Sequence, residues 1–165
     1  MKVAIQQLDN TYSDQLIDLI LTIQQKEFNV PITIDDQPDL KQIESFYMVP
    51  GGNFWGAFID GELVGSIALV KFDEREGAVR KMFVKKEFRG KELNIAQKLL
   101  EVLIVFCREN AIDHIYLGTV NVLKVAMRFY ERNHFVQVEK ENLPARFPLM
   151  NADNVFYSLN INQTL

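Results

Sequence analysis

The sequence has 165 residues, of which 48% are hydrophobic and 24% are charged, the ordinary balance of a globular domain. Its net charge of −4 gives no general attraction for nucleic acid, and its single cysteine, Cys107, excludes an internal disulfide and a cysteine-rich metal site. No apolar run reaches the length of a membrane span, and the first ten residues lack the apolar stretch of a signal peptide. These properties predict a single domain over residues 1–165, located in the cytoplasm, that binds neither nucleic acid nor membrane.

The first part of the chain predicts a strand, two helices and a loop. Residues 3–8, VAIQQL, suit a first strand, and Ser13 or Asp14 suits the N-terminal cap of a helix. Residues 29–40 have the composition of a loop with two prolines, and a second short helix follows Pro38. The apolar positions of both helices recur at helical spacing: Leu16, Leu19, Ile20 and Ile23 in the first, and Leu40, Ile43, Phe46 and Tyr47 in the second.

Residues 53–84 predict three adjacent strands. Asp60 and Gly61 divide two apolar runs within residues 53–72. An Asp-Gly pair is a strong hairpin signal, because both central positions of the turn need φ above zero. Residues 76–84, EGAVRKMFV, supply the third strand.

The second half of the chain alternates helices and strands. Residues 95–109 carry the clearest helical stripe, which makes Cys107 a small core residue rather than a nucleophile. A strand at 113–119 and a helix at 121–133 follow, and strands at 134–139 and 154–161 complete the chain. A meander followed by a β-α-β unit predicts a mixed sheet, because the crossover through a helix joins two parallel strands.

A cationic turn precedes the helix at 95–109. Residues 80–91, RKMFVKKEFRGK, contain six basic residues and one acid, Glu87, in a chain that is acidic overall. The N-terminus of a helix carries unpaired N–H groups and a partial positive charge, and Gly90 lets the backbone come close to a phosphate. The turn therefore predicts a phosphate site at the start of this helix, with a solvated charged loop as the alternative.

These residues resemble the GNAT N-acetyltransferase superfamily, whose signature R-x-x-G-x-G/A lies between its fourth strand and third helix and binds the pyrophosphate of acetyl-CoA. The chain has VRKMFVKKEFRGKELNIAQKLL in that place, IYLGT as the next strand, and AMRFYERNHF where the family has A-x-x-x-Y-x-x-x-G-F. The motifs cover residues 79–135, and the order of elements matches from end to end. The resemblance implies an α/β (α+β) fold, the GNAT fold, with a mixed central sheet of about seven strands and about four helices packed on both faces.

The loop departs from the common signature at two positions. Counted from Arg89, the two signature glycines fall on Glu92 and Asn94, whereas counting back from Leu99 and Leu100 puts the closing small residue on Ala96, two residues later. The loop is therefore predicted to be longer than the common form, as in a bacterial subgroup with RGKE that this chain resembles. Asn94 either takes the left-handed backbone conformation of a glycine or caps the helix, and both can hold together.

The resemblance implies acetyl-CoA as the cosubstrate and distributes its binding residues over three segments. The backbone at the end of the fourth strand holds the pantetheine and thioester, the loop and helix start hold the pyrophosphate, and the next strand and helix complete the site. The predicted cofactor-binding residues are Met82, Phe83, Val84, Arg89, Gly90, Lys91, Glu92, Asn94, Ile95, Ala96, Gln97, Thr119 and Tyr130.

Acetyl transfer to an amine needs a neutral amine, a stabilised oxyanion and a proton for the thiolate. Tyr130 matches the family's tyrosine near the sulfur and is the predicted general acid, with a packed aromatic residue as the alternative. No base stands out; Glu76 is the predicted one, and a water chain or an amine that arrives neutral would also serve. His134 replaces the family's glycine before Phe135, which alters a turn, and together with His114 it predicts no metal site.

The acceptor is predicted to be a primary amine of a small molecule or a peptide. The resemblance puts its contacts in the first two helices and their loop, FNVPITIDDQPDL, and near the last two strands. In the loop, Asp35, Asp36 and Asp39 would suit a cationic amine and are otherwise solvated acids. Two other functions stay open. One is a degenerate GNAT module that binds CoA for regulation or scaffolding; the other is an RNA-associated subunit, which the net charge disfavours. A homodimer is also an open arrangement.

Overall fold

The computed structural model describes residues 2–163. Within this range seven strands form one mixed sheet in the order β1-β2-β3-β4-β5-β7-β6, which confirms the predicted sheet. Four helices accompany it in the described range: α1 together with the π-helical segment that continues it, a second π-helical segment before β2, α2 and α3. The strands are β1 (Val3–Gln7), β2 (Asn53–Ile59), β3 (Glu62–Asp73), β4 (Glu76–Val84), β5 (His114–Thr119), β6 (Val136–Val138) and β7 (Val155–Asn160). The helices are α1 (Ser13–Leu21), α2 (Ile95–Glu109) and α3 (Lys124–Arg132), with π-helical segments at Thr22–Glu27 and Glu44–Met48.

The described chain separates into two compact units. The first comprises residues 2–70 and 80–105, and the second comprises residues 71–79 and 106–163. The prediction of a single domain over residues 1–165 stays a prediction. Of the helices in the described range, none combines the length and apolarity that crossing a bilayer requires.

In the first unit, β2 is the centre of an antiparallel arrangement with β1 and β3. The turn between β2 and β3 has the predicted conformation, with φ of 49° at Asp60 and 80° at Gly61. Ile59 and Glu62 are directly opposite each other, as a two-residue hairpin loop requires. The hairpin predicted from Asp60 and Gly61 is therefore confirmed.

The segment between α1 and β2 differs from the single short helix predicted after Pro38. A 3₁₀ turn at Pro38–Lys41 ends at Gln42, whose φ of −135° and ψ of 48° are not helical, and the chain then continues as the π-helix Glu44–Met48. The helix ends before Gly52, whose N–H donates to the carbonyl of Tyr47 at 2.8 Å. The break at Gln42 divides what the apolar spacing alone presents as one helix.

The core of the first unit forms where α1, the π-helical segments and β2 meet. Tyr47 is fully buried, and its ring packs edge-on against Phe54 with 4.9 Å between centroids. Burial of such large side chains is the main source of stability for this unit. The other buried members are Leu8, Leu16, Leu19, Ile20, Ile23, Leu40, Ile43, Phe58, Leu63 and Ala68.

In the second unit, the first residues of β4 pair in parallel with β5, which confirms the predicted β-α-β crossover. β7 lies between β5 and β6 and is antiparallel to both. Cys107 is fully buried, and burial raises the pKa of its thiol to about 12, so the prediction of a core residue rather than a nucleophile is confirmed.

α3 ends in a Schellman motif that shortens the following strand. His134 has a φ of 72°, its N–H donates to Glu131 O at 3.1 Å, and the N–H of Phe135 donates to Tyr130 O at 3.1 Å. The rings of Phe135 and Tyr130 are 5.5 Å apart, the apolar contact that accompanies this motif. His134 thus keeps the left-handed conformation usual for glycine, and β6 begins at Val136 rather than at residue 134 as predicted.

Candidate active site

The predicted thioester-binding residues Met82, Phe83 and Val84 are the last three residues of β4, and each is half-buried. Gly65 on β3 faces them, and a Cβ at this position would lie 3.1 Å from the carbonyl oxygen of Phe83. The absence of a side chain at Gly65 therefore lets β3 approach the end of β4 closely.

The loop between β4 and α2 turns through two left-handed residues. Gly90 has a φ of 121° and Asn94 a φ of 53°, and the N–H of Asn94 donates to the carbonyl of Gly90 at 3.0 Å. A Cβ at Gly90 would meet no atom within 4 Å, so the glycine is needed for its backbone conformation rather than for space. The left-handed conformation predicted for Asn94 is confirmed.

α2 begins directly after this turn. Its first residue, Ile95, is buried, while Ala96 and Gln97 are half-buried. The N–H of Lys98 donates to the carbonyl of Asn94 at 3.1 Å, which is the first hydrogen bond of the helical ladder. The N-terminus of a helix carries the positive end of its dipole and presents N–H groups, the arrangement that binds anions.

The charged residues of the loop divide into paired and exposed ones. Arg89 donates through Nε to the carbonyl of Val84 at 2.8 Å, and its guanidinium forms a bidentate ion pair with Glu27. The hydrogen bond from Arg89 lowers the pKa of the Glu27 carboxyl. Lys91 and Glu92 are exposed. Lys91 is therefore the better placed of the two predicted cations to meet an anion, and the partnership of Arg89 with Glu27 is one that sequence reasoning missed.

Tyr130, the predicted general acid, is buried in the second unit. Its ring packs against those of Phe135 and Tyr157, whose centroids are 5.5 and 6.0 Å away. Burial, together with the charge of Asp153, raises the pKa of Tyr130 to about 12. At neutral pH the hydroxyl is therefore protonated and able to donate a proton.

Asp153 lies against the end of β5. A Cβ on Gly118 would be 2.9 Å from the carboxyl carbon of Asp153 and closer still to its Oδ2. The predicted cofactor residue Thr119 is buried and follows Gly118, and its carbonyl accepts a hydrogen bond from the N–H of Asn154 at 2.9 Å. Sequence reasoning missed Asp153, although the glycine in LGT was a signal of close approach.

Glu76, the predicted base, is the first residue of β4, whereas Met82 to Val84 are its last three. The Glu76 carboxylate interacts with the hydroxyl of Tyr116. Burial is the main cause, and the charge of this carboxylate the second cause, that raise the pKa of Tyr116 to about 12. Glu76 thus begins the strand whose other end was predicted to hold the thioester. Its role as a base stays a prediction.

The three acids predicted to suit a cationic amine have different surroundings. Asp35 is exposed, and Asp36 accepts a hydrogen bond from the N–H of Thr33 at 2.9 Å. Asp39 is buried, accepts a hydrogen bond from the Tyr47 hydroxyl at 2.5 Å and faces the ammonium of Lys81 at 3.7 Å. The interpretation of Asp39 as a solvated loop acid is wrong, because its carboxylate is enclosed and already has a cationic partner. Its role as an amine contact stays a prediction.

Residues 2–163 contain no group of three or more histidine, cysteine or carboxylate side chains that could hold a metal ion. The first unit contains the start of α2 behind a turn with two left-handed residues, and the second contains the buried Tyr130.

Solved structures of known proteins share this fold. An acetyltransferase of the GNAT family from Staphylococcus aureus Mu50 superposes with a TM-score of 0.92 at 42% identity, over 97% of this chain and 99% of that one. The PaiA N-acetyltransferase of Thermoplasma acidophilum, solved in complex with coenzyme A, superposes with a TM-score of 0.72 over 97% and 99% of the two chains. At 18% identity, the second likeness concerns the fold alone.

Sequence comparison gives the same family. The N-acetylaspartate synthetase of Xenopus tropicalis is 36% identical over 103 residues, which is 61% of this chain and 37% of that protein. This chain spans about half or less of the length of the first curated relatives that it matches. A sequence model of the acetyltransferase (GNAT) family matches residues 17–135, from α1 to the Schellman turn. The chain belongs to the acetyltransferase (GNAT) family.

Proposed function

We propose that this chain is an N-acetyltransferase that moves the acetyl group of acetyl-CoA to a primary amine by direct transfer in a ternary complex. The observation that carries the proposal is the turn into α2, where Gly90 and Asn94 both have left-handed backbone. Such a turn brings the N-terminus of a 15-residue helix toward a ligand with little side chain in between. The CoA bound to the PaiA enzyme, which has the same fold, supports CoA as that ligand.

In this proposal the pyrophosphate is held mainly by backbone. Backbone N–H groups at the start of α2 supply donors and the helix dipole supplies a partial positive charge. Lys91 adds a full positive charge from an exposed position. Arg89, being paired with Glu27, acts chiefly by orienting the loop.

The chemistry is aminolysis of a thioester. The neutral amine nitrogen attacks the carbonyl carbon, so that a C–N bond forms and the C–S bond breaks. The departing thiolate takes the proton of the Tyr130 hydroxyl, which burial keeps protonated at neutral pH. Water takes the proton lost by the amine and returns one to Tyr130. No step is assigned to Glu76, because it begins β4 and interacts with Tyr116.

The acceptor is a primary amine, and amino acids are the first class to test. A relative that is 36% identical over 103 residues is an N-acetylaspartate synthetase, which favours amino-acid acceptors. Of the three acids in the loop before β2, Asp35 is exposed and available to a cationic group.

The test is thiol release from acetyl-CoA with L-aspartate, other amino acids, polyamines and N-terminal peptides as acceptors. CoA affinity is measured in parallel by calorimetry. We expect turnover with at least one amine and a rise in melting temperature with CoA, because a ligand that binds only the native state stabilises it. CoA binding without turnover on any amine would favour the CoA-binding module instead, and no binding at millimolar CoA would count against both.

A further inference from the structure

Lys81 has an unusual backbone conformation for a residue inside a strand. It lies within β4, directly before Met82, yet its φ is 55°. A left-handed conformation is unfavourable for any residue with a Cβ, and glycine would be the ordinary choice. Neighbouring groups must therefore hold it, and one of them is the hydroxyl of Ser66, which donates to the carbonyl of Lys81 at 2.7 Å.

The side chain of Lys81 is as unusual as its backbone, because its ammonium is enclosed. Only 7% of the side chain is exposed. Nζ donates to Oε1 of Gln37 at 2.6 Å and lies 3.7 Å from Oδ2 of Asp39, which also accepts from the hydroxyl of Tyr47. Burial lowers the pKa of Lys81 to about 8, although Asp39 acts in the opposite direction. A buried ammonium is costly unless it is paired, so this arrangement is a specific one.

The partners of the ammonium are themselves fixed. Gln37 and Asp39 are both buried, and the side-chain amide of Gln37 donates to Oε1 of Gln24 at 2.8 Å. The Tyr47 ring is held in the core of the first unit by Phe54. Gln24, Gln37, Asp39 and Tyr47 all come from the segment between α1 and β2. The ammonium therefore ties β4 to that segment at the left-handed residue Lys81.

β3 completes the hold on the end of β4. Besides the Ser66 hydroxyl on Lys81, the carbonyl of Val64 accepts from the N–H of Lys85 at 2.8 Å, and Gly65 leaves room for the carbonyl of Phe83. The backbone is thereby held at Lys81 and at Lys85, on either side of residues 82–84, which are assigned to the thioester.

We propose that Lys81 is a positioning residue for the cosubstrate, whose buried ammonium, anchored on Gln37 and Asp39, holds the left-handed kink in β4 that presents the backbone of residues 82–84 to acetyl-CoA. The inference rests on the proposed function. It assigns no proton transfer to Lys81, because its Nζ is turned to Gln37 and Asp39. The inference also means that the segment between α1 and β2 contributes to cosubstrate binding indirectly, because Gln37 and Asp39 hold β4 in place.

The test compares CoA affinity, by calorimetry, in variants that separate the ammonium from the backbone conformation. Lys81→Met keeps the length of the side chain without its charge, and Lys81→Gly adopts the left-handed conformation freely but has no anchor. We expect both to raise the Kd for CoA at least tenfold. Gln37→Met, which removes the oxygen that accepts from Nζ, should raise the Kd for CoA at least threefold although no residue of β4 is substituted.

Two controls isolate the positioning effect. Lys41→Met removes an exposed lysine from the segment between α1 and β2. Leu19→Ala removes a buried side chain from the core of the first unit and so lowers stability. Both should bind CoA within twofold of the wild type, which shows that lost charge or lost stability alone does not weaken binding. Near-UV circular dichroism identifies the folded variants, and if Lys81→Met does not fold, Lys81→Gly and Gln37→Met carry the test.

The outcomes distinguish this inference from the proposed function. A wild-type protein that does not bind CoA would overturn the proposed function. A wild-type protein that binds CoA, with Lys81→Met and Gln37→Met both within twofold of it, would overturn the role of Lys81 alone. Affinity retained in Lys81→Gly but lost in Lys81→Met would also overturn it, because the backbone conformation would then suffice without the ammonium.

Discussion

The guanidinium of Arg89 is paired with the carboxylate of Glu27, with 2.7 Å between Nη2 and Oε1. The same guanidinium lies 5.9 Å from the centroid of the Phe28 ring, and its Nε is bound to the carbonyl of Val84. Arg89 therefore connects the loop before α2 to the end of the first π-helical segment. The positive charge of an RGKE loop is thus partly balanced before any anion arrives.

The pair of Arg89 and Glu27 should contribute modestly to stability. Because the side chains are 37% and 21% exposed, we expect a coupling free energy of about 0.5–1 kcal/mol at low salt, shrinking in concentrated NaCl. A double-mutant cycle of Arg89→Met and Glu27→Gln in urea unfolding measures it. A coupling that does not change with salt would contradict the electrostatic account.

The two left-handed positions of the loop should respond differently to substitution. Gly90→Ala places a Cβ in open space but at a φ of 121°, so we expect about 1–3 kcal/mol of backbone strain and weaker CoA binding. Asn94→Gly should leave CoA affinity within twofold, because glycine accepts a φ of 53° without strain. Calorimetry with CoA checks both.

Side chains and backbone are separated by two further loop variants. Glu92→Gln should leave CoA affinity unchanged or slightly improved, since Glu92 is exposed and repels an anion. Ala96→Ile should weaken CoA binding, because a bulky side chain in the first turn of α2 hinders the approach of the ligand to the backbone. If Glu92→Gln abolishes binding while Ala96→Ile does not, the loop binds through its side chains.

Tyr130→Phe should lower kcat by about 100-fold or more with little change in CoA affinity, since loss of a general acid has effects of this size. Tyr157→Phe is the matched control: it removes another tyrosine hydroxyl of the same unit, one that donates to Glu131 at 2.7 Å. Steady-state kinetics and single-turnover thiol release measure both variants. A kcat for Tyr130→Phe equal to that of the control would make Tyr130 a packing residue.

Lys81 should give the free energy of unfolding a dependence on alkaline pH. Its pKa is about 8 in the folded protein against an ordinary 10.5, so between these values the unfolded chain holds a proton that the folded chain lacks. Stability rises with pH wherever the unfolded state binds more protons. Relative to Lys81→Met, the wild type should therefore gain about 1–3 kcal/mol between about pH 7 and pH 10. Urea unfolding of both proteins across that range is the measurement, and a flat difference would be inconsistent with a buried ammonium.

Several features of the fold followed from local sequence signals. Asp60 and Gly61 predicted the hairpin because their backbone preference is intrinsic to the two residues, and the apolar stripe of 95–109 predicted α2 with its observed bounds. The motifs around Tyr130 predicted the family, and the left-handed tolerance of asparagine predicted the conformation of Asn94. Each of these depends on a few adjacent residues, so the sequence contains enough information to predict it.

Other features depend on partners that are distant along the chain, and only the tertiary structure decided them. Glu27 and Arg89 are 62 residues apart, and Gln37 and Lys81 are 44 apart. No local pattern distinguishes the enclosed Asp39 from the exposed Asp35, or the left-handed Lys81 from an ordinary strand residue, because burial and ion pairing arise only when separate segments pack. The sequence by itself determined the seven strands, the helices α1 to α3, their order and the family, whereas long-range packing decided which charged side chains are paired in the interior and which remain available to a ligand.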